Sequence, residues 1–300
     1  MALKVLPGPR FSERTTLRLG GRAQAEILVE SPEDAAGLAG ELGKHASRPF
    51  VLGWGSNLLA VDADLDLAVV TLGSAEPVLA GEAACCGGEG GGRVLVRAAG
   101  GLMLPRLVNW SAKAGLSGLE PLAGIPGTVG GAVAMNAGSY GAQTAGLLTR
   151  VRIWDPVGGT RWMGPAQWKA GYRSFVPEGV AAPWLALEAE LALVPSEPGK
   201  VRAAVDATLA RKKATQPVSA ATCGCVFKNP EGESAGRLLD ACGFKGKSLG
   251  GMSFSAMHAN FLVNEGRGTA MAALDLVAKA REAVKSRFGV ELELEVRVVR

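Results

Sequence analysis

The chain has 300 residues, 48% hydrophobic and 20% charged, enough to bury a large core and to divide into two or three soluble, globular domains. The N-terminus MALKVLPGPRF lacks the apolar core of a signal peptide, and no stretch approaches the ~20 continuous apolar residues of a membrane span, so a cytoplasmic location is expected. A net charge of +4 without a sustained basic run argues against nucleic acid and for small anionic ligands.

In chain order, ERTTLRLGGRAQAEILVE (13–30) has the β-branched and aliphatic content of a strand. SPEDAAGLAGELGKH (31–45) follows as a helix with Ser31 as cap, Pro32 at its first position, and Glu33 and Asp34 in its first turn. A short strand, PFVL, leads into the loop GWGSN at 53–57, whose glycines allow close backbone approach to a phosphate. This is not a Rossmann fingerprint, because Leu58 stands where a third glycine is needed and LLAVD reads as extended chain rather than helix.

Glycine is the unusual component, with 42 residues, about twice the ~7% average. The run CCGGEGGGR (85–93) lies between the strand-like runs AVVTL and RVLVRAA and is expected to be a flexible turn. Five cysteines, including the adjacent Cys85 and Cys86, do not make the even, spaced set of a disulfide scaffold, so free thiols are expected. A second glycine loop, GLEPLAGIPGTVGGAVAMNAGSYG (118–141), alternates glycine with small residues and has Glu120, Asn136 and Tyr140 as its only large polar groups. Close approach to a long ligand explains it better than a tightly packed helix pair does. Downstream, ARKKA (210–214) is the longest basic run and reads as a solvated helix face.

Two C-terminal motifs are decoys. ACGFKGKS (241–248) has Ala241 where a Walker A motif has its first glycine, and the preceding SAGRLLDA has helical spacing, with Ala235, Leu238 and Leu239 on one side, rather than the buried strand a P-loop follows. GKSLG fits a hydrolase elbow but lacks the strand before and the helix after. Only His45 and His258 could serve as its base, and two histidines do not favour a catalytic metal, so no metal site is assigned.

CGCVFKNP (223–230) places Cys223 and Cys225 among ligand-type residues. A redox pair would have a strained C-x-C ring, a metal half-site lacks a second pair, and an inert small hydrophobe is the bland alternative. The fourth reading is one thiol in acid–base work: with a reference pKa of ~8.5, a thiol is a stronger acid than a hydroxyl yet largely protonated at neutral pH. Lys228 and Asn229 follow closely. Finally, a helix from about 269 to 288, closed by Gly289, precedes VELELEVRVV. There Val290, Leu292, Leu294, Val296 and Val298 alternate toward a core, with Glu291, Glu293, Glu295 and Arg297 on the other face. Alternation does not choose among the three glutamates.

VLGWGSNLL with GIPGTVGGAVAMNAGSYG resembles the flavin-binding signature of the UDP-N-acetylenolpyruvoylglucosamine reductase family. ERTTLRLGG, GYRSF, GCVFKNP, AGRLLDACGFKG, GGMSFSAMHANFLVN and GVELELEVR occur in that family's order and spacing, so the resemblance covers nearly the whole chain. It implies an α+β protein of the vanillyl-alcohol-oxidase-type (PCMH) FAD-binding fold, with two FAD-binding subdomains (1–70 and 71–197) and a C-terminal α+β substrate-binding domain (198–300). The chain's shortness resembles the compact form of the family. Gly53, Trp54, Gly55, Ser56, Asn57 and Leu58 in the first loop would hold FAD. So would Glu120, Gly124, Ile125, Pro126, Gly127, Gly130, Gly131, Ala132, Asn136, Ala137 and Gly138 in the second.

The implied reaction is the NADPH-driven reduction of UDP-N-acetylglucosamine enolpyruvate to UDP-N-acetylmuramate in peptidoglycan synthesis, with hydride delivered from flavin N5. Its partners are that substrate and NADPH, with no nucleic acid, membrane or obligate protein partner expected. Arg173 matches the family's tyrosine–arginine motif and would stabilise the enolate with its planar cation, although YRSFVP is compressed relative to the commoner pattern. Tyr172 would lie over the substrate, and Lys228 and Asn229 would take the polar groups of its uridine nucleotide. Cys225 stands where the family usually has the serine that protonates the enolate. Glu295, directly before Val-Arg, corresponds to the family's glutamate and would polarise the intermediate together with Arg173; Leu294 replaces a common proline. A flavin oxidase of the same fold, lacking the Arg173, Cys225 and Glu295 set, and a non-catalytic flavin- or nucleotide-binding protein are the alternatives.

Overall fold

The computed structural model describes residues 3–83 and 92–300. Cys85, Cys86 and most of the glycine run at 85–93 lie outside them. The chain forms two compact units, each assembled from separated segments: residues 1–7, 25–54 and 67–211 make one, and residues 8–24, 55–66 and 212–300 the other.

The first unit is organised by two sheets. One takes the strands Lys4–Pro7, Ala23–Val29, Leu65–Leu72 and Arg48–Val51 in that order, with Arg48–Val51 parallel to Leu65–Leu72. The other is antiparallel and runs Gly159–Met163, Leu148–Asp155, Leu185–Pro195, Arg93–Ala99, Val78–Ala83, with Leu116–Ser117 on the far end of Leu185–Pro195. The helix Leu104–Lys113 buries Leu104, Leu107, Val108, Ser111 and Ala112, a 3–4 spacing that makes one apolar face. That face packs with Val96, Val151, Ile153 and Leu191 from the sheet, each such aliphatic side chain contributing about 1.5–3 kcal/mol on burial.

The second unit has a four-stranded antiparallel sheet, Thr222–Cys225, Phe261–Asn264, Met252–Phe254, Ser248–Leu249, with the helices Ala235–Ala241 and Ala270–Phe288. The long helix begins and ends where its sequence indicates. Thr269 Oγ1 accepts the Ala272 N–H at 3.1 Å, and Gly289 closes it in the left-handed conformation at φ 68°. Ala235, Leu238 and Leu239 are all buried on one side of the shorter helix, as their spacing predicts.

Four local expectations are corrected. Only Ala23–Val29 of the 13–30 run is strand; residues 11–14 are a short helix, and Arg18 and Gly20 adopt φ 59° and 118°, incompatible with a pleat, while Leu17 and Leu19 are buried in the second unit's core. Ser31 does not cap by accepting. Its N–H and hydroxyl donate to Asp34 Oδ2, at 3.0 and 2.7 Å, and a 3-10 turn, Asp34–Gly37, precedes the α-helix Leu38–Leu42. The basic run at 210–214 is not wholly solvated, because Lys212 is 3% exposed and the Arg211 guanidinium lies 4.2 Å from the Tyr140 ring centroid. VELELEVRVV is strand only at Arg297–Val299. Before that the backbone changes partner: Glu293 O accepts from Lys228 N–H and Leu294 bridges Phe227, whereas Arg297–Val299 pairs in parallel with Leu58–Ala60. Leu292 and Val296 are buried as expected, but Val299 is buried at the end in place of Val298, which is half-buried.

Candidate active site

In the first unit the glycine loop is held by its own protein. Of its six-residue helix Val129–Ala134, the first amides donate to Leu102 O and Gly100 O, both at 2.8 Å, and to the capping Thr128 Oγ1 at 3.2 Å. The amides of Gly130 and Gly131 are thus both bonded within the protein. Gly130 is glycine because a Cβ would stand 3.0 Å from Ala186 O. The two glycine loops meet within this unit, where a Cβ on Gly53 would come within 2.8 Å of Thr128 Oγ1. Glu120, the sole carboxylate between 118 and 141, accepts the Gly118 N–H at 2.6 Å.

Tyr172 and Arg173 are the two turn residues of a hairpin whose strands, Trp168–Gly171 and Ser174–Pro177, register Gly171 opposite Ser174. Arg173 has φ 54°, a left-handed conformation uncommon outside glycine. Its Nη1 donates to Gly138 O at 3.2 Å, and its guanidinium lies 5.2 Å from the half-exposed Tyr172 ring. Asn136, 1% exposed, ties the hairpin to the loop: its Nδ2 donates to Gly171 O at 2.8 Å and Gln143 Oε1 at 2.7 Å, and its Oδ1 accepts from Ala145 N–H at 2.9 Å. Both N–H donors and the carbonyl oxygen of the Asn136 side chain thus have protein partners.

In the second unit, Cys225 ends its strand after a bulge at Gly224, φ 78°. The bulge separates two dissimilar thiols. Cys223 is buried, and burial pushes it up to about 12, with the nearby Cys225 and Glu295 pushing in the same direction; Cys225 is partly exposed. Neither is in a disulfide, and the C-x-C pair is not bridged. Glu295 is brought next to Cys225 by its backbone: Glu295 N–H donates to Val226 O at 2.8 Å. From the other side, Asn57 Nδ2 donates to Glu295 O at 3.0 Å. Lys228 Nζ pairs with exposed Glu293 at 3.1 Å, and Asn229 Oδ1 accepts from Ala235 N–H at 3.1 Å, at the start of a helix.

Gly53, Trp54, Glu120, Ile125, Pro126, Ala132, Ala137, Tyr172, Arg173 and the other residues of the second loop belong to the first unit; Gly55, Ser56, Asn57, Leu58, Cys225, Lys228, Asn229 and Glu295 belong to the second. Sequence reasoning missed Asn260, 1% exposed, whose amide embraces Phe227: Oδ1 accepts its N–H at 3.0 Å and Nδ2 donates to its carbonyl at 2.8 Å. An asparagine inside the apolar run HANFLV was the available signal. Both decoys fail structurally, since the helix Ala235–Ala241 precedes ACGFKGKS and the strand Ser248–Leu249 holds its serine. Among the described residues, no group of three or more His, Cys, Asp or Glu could hold a metal ion.

The loop chemistry fits FAD. The side chains from 123 to 134 are uncharged and, apart from Ile125, small, the loop's one carboxylate is already bonded, and Trp54 presents a ring that is 52% exposed, an arrangement that leaves room for an anionic, partly aromatic ligand. Comparison with known proteins agrees. Residues 23–164 match the FAD binding domain and residues 216–299 match the UDP-N-acetylenolpyruvoylglucosamine reductase C-terminal domain. The chain is 46% identical to the UDP-N-acetylenolpyruvoylglucosamine reductase of Nitratidesulfovibrio vulgaris over 99% of each chain. It is 33% identical to that of Bacillus subtilis over 99% of this chain and 94% of the other. The crystal structure of the Thermus caldophilus reductase superposes with a TM-score of 0.81 at 32% identity, covering 99% of this chain and all of that one. With an α+β fold, matching domains at both ends and full-length likeness, this chain belongs to the UDP-N-acetylenolpyruvoylglucosamine reductase family.

Proposed function

We infer that the protein reduces UDP-N-acetylglucosamine enolpyruvate to UDP-N-acetylmuramate with NADPH, a step of peptidoglycan synthesis in the cytoplasm. The observation that carries this reading is the 46% identity extending over 99% of both chains. Among the described residues no helix is long and apolar enough to cross a membrane. FAD, when bound and reduced by NADPH, supplies the hydride. We assign residues 1–70 and 71–197 to the two FAD-binding subdomains and 198–300 to the substrate domain; the matches at 23–164 and 216–299 support the division between the FAD-binding part and the substrate domain.

The chain's own residues do the rest. Arg173, whose planar cation suits a carboxylate and its enolate, binds the substrate carboxylate and stabilises charge developing on it. Cys225 donates the proton: its S–H bond breaks as the C–H bond of the neighbouring carbon forms, leaving a thiolate that solvent reprotonates. Glu295, held beside Cys225, polarises the enolic intermediate. Tyr172 lies over the substrate, and Lys228 and Asn229 bind the uridine nucleotide. The Lys228–Glu293 pair is a surface ion pair, worth about 0–1 kcal/mol, so a phosphate displaces Glu293 at little cost.

The test is an anaerobic stopped-flow trace of the NADPH-reduced protein mixed with UDP-N-acetylglucosamine enolpyruvate. Return of the oxidised flavin absorbance is expected; a reduced flavin that persists with this substrate overturns the reading.

A further inference from the structure

The backbone at Glu295 sits at a changeover. Up to Leu294 the C-terminal segment is bonded to residues 227 and 228, and from Arg297 it is bonded to the strand Leu58–Ala60. Between the two ladders, Glu295 and Val296 both donate to one acceptor, Val226 O, at 2.8 and 3.3 Å. This two-to-one arrangement resembles a bulge, where regular pairing is interrupted and the chain bends. A residue at such a point has no continuous ladder to fix the direction of its side chain.

Asn57 supplies one constraint at this point. Its side-chain amide donates to Glu295 O at 3.0 Å, and its own carbonyl accepts from Arg297 N–H at 3.0 Å, so one residue brackets the glutamate's peptide from the C-terminal side. The next residues, Leu58, Leu59 and Ala60, continue in parallel register with Arg297, Val298 and Val299. Asn57 therefore extends the ladder by one bond that only a side chain can make. The preceding Gly55 fixes the approach, because its φ of 66° and its contact with the Arg14 carbonyl leave no room for a Cβ.

We propose that Asn57 is a positioning residue for Glu295, acting through the glutamate's peptide rather than only as a ligand of the flavin. The inference rests on the role given to Glu295 above. An aspartate at 57 would face one oxygen against another and lose the bond, an alanine would leave the Glu295 carbonyl without this donor, and a serine is too short to span the gap.

The experiment is a double-mutant cycle. Single-turnover reoxidation of the reduced protein by UDP-N-acetylglucosamine enolpyruvate is measured, over hours where necessary, for Asn57→Ala and Asn57→Ser on the unmodified and Glu295→Gln backgrounds, with FAD content determined for each. On the unmodified background the loss of positioning is expected to slow reoxidation by about tenfold or more. On the Glu295→Gln background the same change is expected to cost less than about twofold, because residues acting as a unit are not additive. Equal fold-losses on both backgrounds, or a loss that disappears when rates are corrected for bound FAD, overturn the proposal. Asn57→Ser serves if Asn57→Ala does not fold. Failure of the underlying functional reading looks different, since the unmodified protein would then not reoxidise at all.

Discussion

Asn136 and Gly171 are joined by a 2.8 Å hydrogen bond that fastens the hairpin carrying Arg173 to the glycine loop. With its other two bonds, to Gln143 and Ala145, it makes the asparagine a junction of three chain segments in a site closed to water. Removing it takes a partner from the part-buried Gly171 carbonyl and Ala145 N–H and leaves a cavity at a buried position. Asn136→Ala is therefore expected to destabilise the protein by about 2–4 kcal/mol, including the cost of placing alanine at φ 41°. Urea unfolding measures this, and a loss below about 0.5 kcal/mol would show that the junction is not structural.

Arg173 combines a proposed catalytic role with a strained backbone, at φ 54° in a two-residue turn. Such strain persists where function retains it. Arg173→Gly should leave stability unchanged or raise it by up to about 1 kcal/mol, while lowering the rate of substrate reduction by about a hundredfold or more. Melting temperature and single-turnover rate, read on the same preparation, separate the two effects; retained rate would remove Arg173 from the mechanism.

For Cys225, replacement by serine keeps a proton on the side chain and replacement by alanine does not. Cys225→Ser should keep substantial turnover, whereas Cys225→Ala should slow substrate reduction by about 10²–10⁴-fold, with NADPH reduction of the flavin nearly unaffected. Near-normal rates in both variants would remove the proton-donor assignment.

Cys223 gives a pH dependence. Burial raises its thiol from 9.0 in the ordinary case to about 12 in the folded protein. Above pH 9 the unfolded chain loses this proton while the folded one keeps it, so the contribution to stability is complete below pH 9 and falls as pH rises toward 12. Unfolding free energy should decline between pH 9 and 11, and Cys223→Ala should flatten that decline. In the same range, iodoacetamide under native conditions should modify partly exposed Cys225 before Cys223; equal labelling of the two would contradict the burial.

Features whose causes are local were legible in the chain itself. The helix Ala270–Phe288 carries both caps in its sequence, Thr269 and Gly289. The side of Ala235, Leu238 and Leu239, the extended chain after GWGSN, and the absence of P-loop and elbow contexts likewise depend on neighbours a few residues away. Motif order was enough to identify the family. Tertiary structure decided whatever depends on partners distant in sequence. Strict alternation in VELELEVRVV could not reveal that the backbone leaves Phe227 for Leu58, a partner 239 positions from Arg297. Nor could composition show that Asn57 is bonded to Glu295, that Asn136 and Asn260 are buried and hydrogen-bonded through both amide atoms, or that Gly130 is held against Ala186 O. A buried amide needs a donor or acceptor within about 3 Å, and which atom comes that close is settled only when the whole chain has packed.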